Sequence, residues 1–238
     1  MDFIKEKIRV MVDKLRSLYT QSSQSLDCAV ADCPEYKISN LPPVDGWRPF
    51  REGERFTGID EHFWLHLTTP AVGKRDGCEL RLSVRTGREG QWDAQNPQFT
   101  AYVDSDTATQ ALDVNHTWLP LPFEREHDIY LYLYTGMLPG RFDFIPSLEI
   151  VDLEIEGLYY DIRVPYLAMR ELNEGSYDYI QIRDCLDRAL TLLDLRDVYS
   201  ADFYESVRAA RAYMKREFYE GICGKSLCNI DTKTTSGI

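Results

Sequence analysis

Between about residues 60 and 157 the apolar side chains recur with period two, while on either side of that region they recur at spacings of three and four. A stretch of strand-like alternation bounded by helix-like periodicity leaves few architectures open. The segments HFWLHL, CELRLSV, FTAYVD, TWLPLPF, DIYLYLYTG and SLEIVDLEIEGL are short, alternating or rich in β-formers, and separated by Gly, Pro, Asp and Asn. In the last of them Glu149, Val151, Leu153 and Ile155 are set against Ile150, Asp152, Glu154 and Glu156, although Ile150 breaks the alternation. Six or more such strands predict a mainly β chain with added α: an antiparallel β-sandwich of the jelly-roll, galactose-binding-like kind, flanked by an N-terminal helix and C-terminal helices.

The flanks follow from the other period. Phe3, Ile4, Ile8, Met11, Val12, Leu15 and Leu18 fall on one side of an amphipathic helix over residues 3–19. Residues 21–50 lose all periodicity, and Pro34, Pro42, Pro43 and Pro49 predict an extended arm lying against a surface. After Gly157 helical spacing returns. Ile182, Leu186, Ala189, Leu190 and Leu193 line one face, and a last helix has Ser200 as its N-cap and Gly221 as its stop. Four regions are expected: helix and arm (1–50), β-sandwich (51–157), a helical linker (158–222) and the start of a truncated catalytic domain (223–238).

The 238 residues carry 27 Lys plus Arg against 39 Asp plus Glu, a formal net charge of -12 spread along the chain. Duplex nucleic acid and anionic membranes attract basic patches, so neither is an expected partner. The six cysteines, at positions 28, 33, 78, 185, 223 and 228, show no C-x-x-C spacing and no nearby histidine, and scattered reduced thiols are expected. The first twenty residues alternate charge with apolar character, unlike a secretory signal, which predicts a cytoplasmic protein.

Polar groups concentrate in LSVRTGREGQWDAQNPQFTAYVDSDTATQALDVNH, residues 82–116. Gly87 and Gly90 predict turns at positive φ. Trp92 is suited either to stacking on a pyranose face or to filling a partner pocket. Asp113, Asn115 and His116 form a compact polar group that Asx-type turns would explain. His62 and His66 lie on one face of a strand, about 13 Å apart, too far to share a metal. No metal-ligating set is expected in this chain.

Several of these pieces together resemble the N-terminal half of the cytosolic and bacterial α-mannosidases of glycoside hydrolase family 38. They are the aromatic block Phe63-Trp64-Leu65, the turn Thr86-Gly87-Arg88-Glu89-Gly90, the strand end Tyr102-Val103-Asp104, the run Leu112-Asp113-Val114-Asn115-His116, and Leu158-Tyr159-Tyr160-Asp161-Ile162. The resemblance covers most of the chain from Trp47 to Glu220. It implies a retaining exo-glycosidase whose zinc, or another divalent metal, is held by a downstream catalytic domain opening on a strand with a histidine and an aspartate two residues later. At the matching place this chain has Asn229 and Asp231, followed by Lys233 and Thr234 in place of Ala-Trp. A neutral amide is a poor zinc ligand. The resemblance therefore implies a non-catalytic module, with no cofactor of its own, working through docking, oligomerisation and shaping of the active-site rim.

The partners so implied are the missing catalytic domain, further copies in a homo-oligomer of the parent enzyme, and a mannose-containing glycan. Glu89, Trp92, Asp93, Asn115 and His116 are the candidate carbohydrate or domain-docking residues, with Trp92 filling a partner pocket and Glu89 and Asp93 near the mouth of the neighbouring site. Leu186, Leu190 and Leu193 are candidates either for an exposed self-association face or for core. The alternative function is an independent, lectin-like carbohydrate-binding module.

Overall fold

The computed structural model describes residues 3–33, 42, 45–51, 53–91 and 95–224. The chain divides into two compact units: one combines residues up to Thr20 with those from Asp152 onward, and the other is Gln21–Val151. This differs from the four-region division expected from the sequence. Helix α1 (Phe3–Tyr19) does not belong with the arm that follows it. It belongs with helices that the chain reaches only after the whole sandwich has been built.

The sandwich unit is made of β1 (Thr20–Ser25), β2 (Cys28–Asp32), β3 (Arg48–Pro49), β4 (Arg55–Gly58), β5 (His62–Thr69), β6 (Cys78–Arg85), β7 (Gln98–Val103), β8 (Gln110–Asp113), β9 (Trp118–Leu121), β10 (His127–Tyr134), β11 (Gly140–Asp143) and β12 (Ile145–Asp152). Among the described residues one sheet runs β1-β12-β6-β9 and the other β3-β2-β5-β10-β7-β8, with β11 and β4 paired separately. From β5 onward the chain alternates between the two sheets, passing from β5 to β6, then β7 and β8, then β9, β10 and β12, which is jelly-roll winding. Leu65, Leu67, Ile129, Leu131 and Leu133 of one sheet share a core with Leu80, Leu82, Leu119, Leu121 and Leu148 of the other. Alternation is the cause: each of these positions is two residues from the next along its strand, so one face of the sheet is apolar throughout. Phe56 stacks with Phe50 at 5.0 Å and with Phe142 at 5.6 Å, and so closes this core with aromatic surface.

The predicted arm is a correction. Residues 20–25, 28–32 and 48–49 are strands, with β2 paired against β5 from Cys28↔Leu67 to Asp32↔Phe63. Thr-Gln-Ser-Ser-Gln-Ser in β1 has no apolar alternation to signal a strand, because it lies at a sheet edge and its last four residues are exposed. Pro34, Pro43 and most of the intervening apolar residues lie outside the described residues.

The second correction concerns SLEIVDLEIEGL. Its strand ends at Asp152, and helix α2 (Leu153–Arg170) begins at the next residue. Asp152 is the reason. Its Oδ1 accepts the amides of Glu154 and Ile155, each at 3.0 Å, which occupies donors that a helix N-terminus leaves free. Its Oδ2 accepts the Tyr204 hydroxyl at 2.6 Å, so a carboxylate that is 4% exposed is fully engaged. Glu154 and Glu156 in the first turn suit the positive end of the helix dipole.

The helical unit continues with α3 (Tyr177–Thr191) and α4 (Ala201–Met214), capped by Ser176 and Ser200. A π-helical stretch, Lys215–Cys223, prolongs α4 through Gly221, so Gly221 is not the stop expected from the sequence. Ile8, Val12, Leu15 and Leu18 of α1 share one core with Ile155, Leu158 and Ile162 of α2, Leu186 and Leu190 of α3, and Phe203 and Val207 of α4. Leu186 and Leu190 are 0% and 4% exposed and Leu193 packs against the same cluster, which places them inside the bundle rather than on a free face. Truncating a fully buried leucine loses transfer energy and leaves a cavity. Leu15→Ala is expected to destabilise the chain by about 2–5 kcal/mol, seen as an earlier loss of helical circular dichroism in urea. A change below about 1 kcal/mol would mean that α1 is dispensable to the bundle.

Candidate functional site

Strand register collects the predicted polar residues at one end of the sandwich. Gln98 pairs with Asp113 on one side and with Tyr134 on the other, and Tyr134 pairs with His62. The turns that leave β6, β8 and β10 therefore emerge side by side. The sequence-predicted loop and the Asp113–His116 turn meet directly, through the Gly90 amide donating to the Val114 carbonyl at 3.2 Å.

Within this cluster the acids serve the backbone. Glu89 Oε1 accepts the Thr86 amide at 2.5 Å, the Gly87 amide at 3.1 Å and the Thr86 hydroxyl at 3.2 Å, closing its own turn. Gly87 and Gly90 have φ of 74° and 80°, a region costly for residues with a Cβ. At Gly87 a Cβ would also lie 3.1 Å from the Asp143 carboxylate. Asp113 Oδ1 accepts the amides of Asn115 and His116, each at 2.7 Å, and lies 3.1 Å from His116 Nδ1. Partial burial works to raise the Asp113 carboxyl, but these two amides and the imidazole outweigh it and hold it below the ordinary aspartate value. Asn115 and His116 thus contribute backbone donors, and the His116 side chain, 71% exposed, extends into solvent. Trp92 and Asp93 lie outside the described residues.

The resemblance to α-mannosidases raises the question of zinc. Among the described residues no group of three or more His, Cys, Asp or Glu side chains is placed to hold a metal ion. His116 has Asp113 beside it, with that carboxylate already bound by two amides. These residues do not fit a zinc site, and Asn229 and Asp231 lie outside the described residues. No described helix is long and apolar enough to cross a membrane.

A feature that polarity-based reading missed is the outer face of the larger sheet. Tyr130, Tyr132 and Tyr134 of β10 stand opposite His66, Trp64 and His62 of β5. His66 and Tyr130 stack with centroids 4.4 Å apart and planes 7° apart, and Trp47 leans on both at 5.6 and 6.0 Å. The Tyr132 hydroxyl lies 2.6 Å from His62 Nδ1, and His66 Nε2 lies 2.6 Å from Asp128 Oδ1. The alternation Tyr-Leu-Tyr-Leu-Tyr was the available signal, since a strand with one face in the core must present the tyrosines on the other.

No family model matches the chain, and comparison with curated proteins finds no match. Among solved structures 12 chains match. One is the CBM51-2 and INT domains of Clostridium perfringens ZmpB in complex with GlcNAc, at 10% identity over 87% of this chain and 45% of that chain, with a TM-score of 0.19. The CBM51-2 and INT domains also appear in a second structure at 11% identity, over 85% of this chain and 44% of that chain, with a TM-score of 0.21. The chain therefore spans less than half the length of either neighbour, and likeness at these TM-scores carries no argument about its ligand.

Asp113 gives a pH test. Its folded pKa lies below the unfolded value, so its contribution to stability is present above the ordinary aspartate range and is lost as pH falls through the folded pKa. Amide exchange at Asn115 and His116 should accelerate below about pH 4, relative to neighbouring turns after correction for intrinsic rates. In Asp113→Ala it should already be fast at neutral pH. Unchanged protection in that variant would show that the carboxylate does not hold the turn.

Proposed function

We propose that the chain is a non-catalytic accessory module of a carbohydrate-active enzyme, of the kind that precedes the catalytic domain in family 38 α-mannosidases. The observation that carries this reading is on α2, which is apolar on two faces. Ile155, Leu158 and Ile162 fill the bundle core, while Tyr160, Val164 and Leu167 remain 43%, 50% and 37% exposed at spacings of four and three. A surface helix with a second apolar stripe fits a docking role better than an isolated existence. Tyr160 belongs to the Leu158–Ile162 segment that carries part of the family resemblance.

The loop end of the sandwich supports the non-catalytic half of the proposal. Acid–base work needs a carboxyl free to exchange protons with substrate. Glu89 and Asp113 instead accept two backbone amides each. In the parent enzyme the zinc and the nucleophile would be supplied by the catalytic partner, and oligomerisation would be a property of the assembled enzyme.

The second reading, an independent carbohydrate-binding module, is favoured by the aromatic outer face of the β5–β10 pair, because ring surfaces edged with hydroxyls suit sugars. The docking reading is tested by mixing the chain with a separately produced family 38 catalytic domain and following co-elution. A complex is expected, Val164→Glu should abolish it while leaving the melting temperature within about 2 °C, and the chain alone should hydrolyse no aryl α-mannoside with or without zinc. Absence of a complex, or metal-stimulated turnover that purifies with the chain, would overturn the proposal.

A further inference from the structure

The turn between β3 and β4 is closed by one side chain. Phe50 anchors its start: the Phe50 amide donates to the Cys28 carbonyl at 2.8 Å, and the ring stacks on Phe56 in the sandwich core. Glu54 closes its end. The Glu54 amide donates to the Arg51 carbonyl at 2.9 Å, Oε2 accepts the Arg51 amide at 3.0 Å, and Oε1 lies 2.7 Å from Arg48 Nη2. The Arg48 guanidinium, and after it the Arg51 amide, hold the Glu54 carboxyl below the ordinary glutamate value. Arg48, Pro49, Arg51, Gly53 and Glu54 line a cleft of about 520 Å³, within the size range of small-molecule sites. Gly53 has φ of 77°, and a Cβ there would meet no heavy atom within 4 Å, so the cleft is unobstructed on that side. The wall is set by hydrogen bonds before any ligand arrives, which spares a ligand the cost of ordering it.

Charge selects the occupant. Arg48 is neutralised by Glu54, whereas the exposed Arg51 side chain makes no hydrogen bond or ion pair among the described residues. Two guanidinium groups against one carboxylate leave one positive charge in the cleft, on a chain whose formal net charge is -12. The guanidinium fork pairs both oxygens of a carboxylate at once. A dianion such as phosphate would in addition be repelled by Glu54. The volume exceeds what a bare carboxylate fills, and its remaining walls suit a hydroxylated ring. Each Glu54 oxygen receives one donor and has a second acceptor site for a hydroxyl. Pro49, exposed, offers apolar surface to ring C–H groups. We infer that this cleft binds a sugar acid of the uronic type, with its carboxylate on Arg51 and its hydroxyls on Glu54. The inference rests on the carbohydrate-binding reading above and gives that sugar a negative charge.

The test is calorimetric titration of the whole chain with methyl β-glucuronide, methyl β-glucoside, inorganic phosphate and α-mannobiose, with the Gly53 amide resonance followed by NMR to locate the ligand. The glucuronide is expected to saturate with a Kd below about 1 mM and to shift the Gly53 resonance. The neutral glucoside and phosphate should bind about tenfold more weakly or less. Arg51→Gln should weaken glucuronide binding by about tenfold, and Arg51→Lys by about threefold, because the charge is kept and the fork is lost. Both should leave the melting temperature within about 2 °C, since no bond of the fold uses that side chain. Lys14→Gln, the same loss of charge on α1, should bind as the native chain does. Glucuronide binding lost in Arg51→Gln and kept in Lys14→Gln supports the site. Glucuronide binding that survives Arg51→Gln overturns this placement and leaves the carbohydrate reading standing. Equal binding of phosphate, or no glucuronide binding, overturns the inference, and the carbohydrate reading then stands only if α-mannobiose binds.

Discussion

The fold turns on one carboxylate. At Asp152 the backbone passes from strand to helix with no intervening loop, and that side chain occupies two amides of the new helix and a hydroxyl from α4 at once. Helix initiation is costly because several residues must be ordered before the first hydrogen bond compensates. A cap that supplies acceptors at the right place lowers that cost and also sets the rotation of the helix. With α2 starting at Leu153, Ile155, Leu158 and Ile162 turn into the bundle and Tyr160 and Val164 turn out. A start displaced by one residue would rotate the stripe by about 100° and bring an acid or an arginine toward the core.

Much of this architecture is legible in the sequence, and the misreadings have physical causes. α1 is read end to end because its stripe is unbroken, and β5, β6, β7, β9 and β10 follow from alternation. The segment after Asp152 deceives because Val151, Leu153 and Ile155 continue a period of two while Ile155, Leu158, Tyr159 and Ile162 begin one of 3.6. Both patterns pass through the same residues, and the cap decides between them. β1 is invisible because a polar edge strand draws its ordering from the backbone ladder of its neighbour rather than from its own side chains.

The turn chemistry of the loop end was legible in the sequence, and the hydrogen bonding of its acids was not. The turn glycines and the Asx-type role of Asp113 follow from residue type, and the register that joins them at one end follows from the strands. What residue names do not show is how many acceptors a turn consumes. Glu89 looks like a free acid in a polar loop, yet three donors converge on one of its oxygens. Conversely, the tyrosines of β10 look like ordinary strand formers until their partners across β5 and β7 are known. Local composition thus overstates the chemistry of the loops and understates that of the sheet face.

The pairing of α1 with helices that lie beyond the sandwich bears on how the protein is made. Ribosomal synthesis delivers the chain from its N-terminus, so the sandwich strands are complete and free to close while α1 still lacks every helix that covers its apolar side. During that interval Ile8, Val12, Leu15 and Leu18 form an uncovered stripe, the kind of surface that holding chaperones recognise. A helix that emerges before the sandwich is consequently secured only after it, and nascent chains arrested within the sandwich would be the aggregation-prone species.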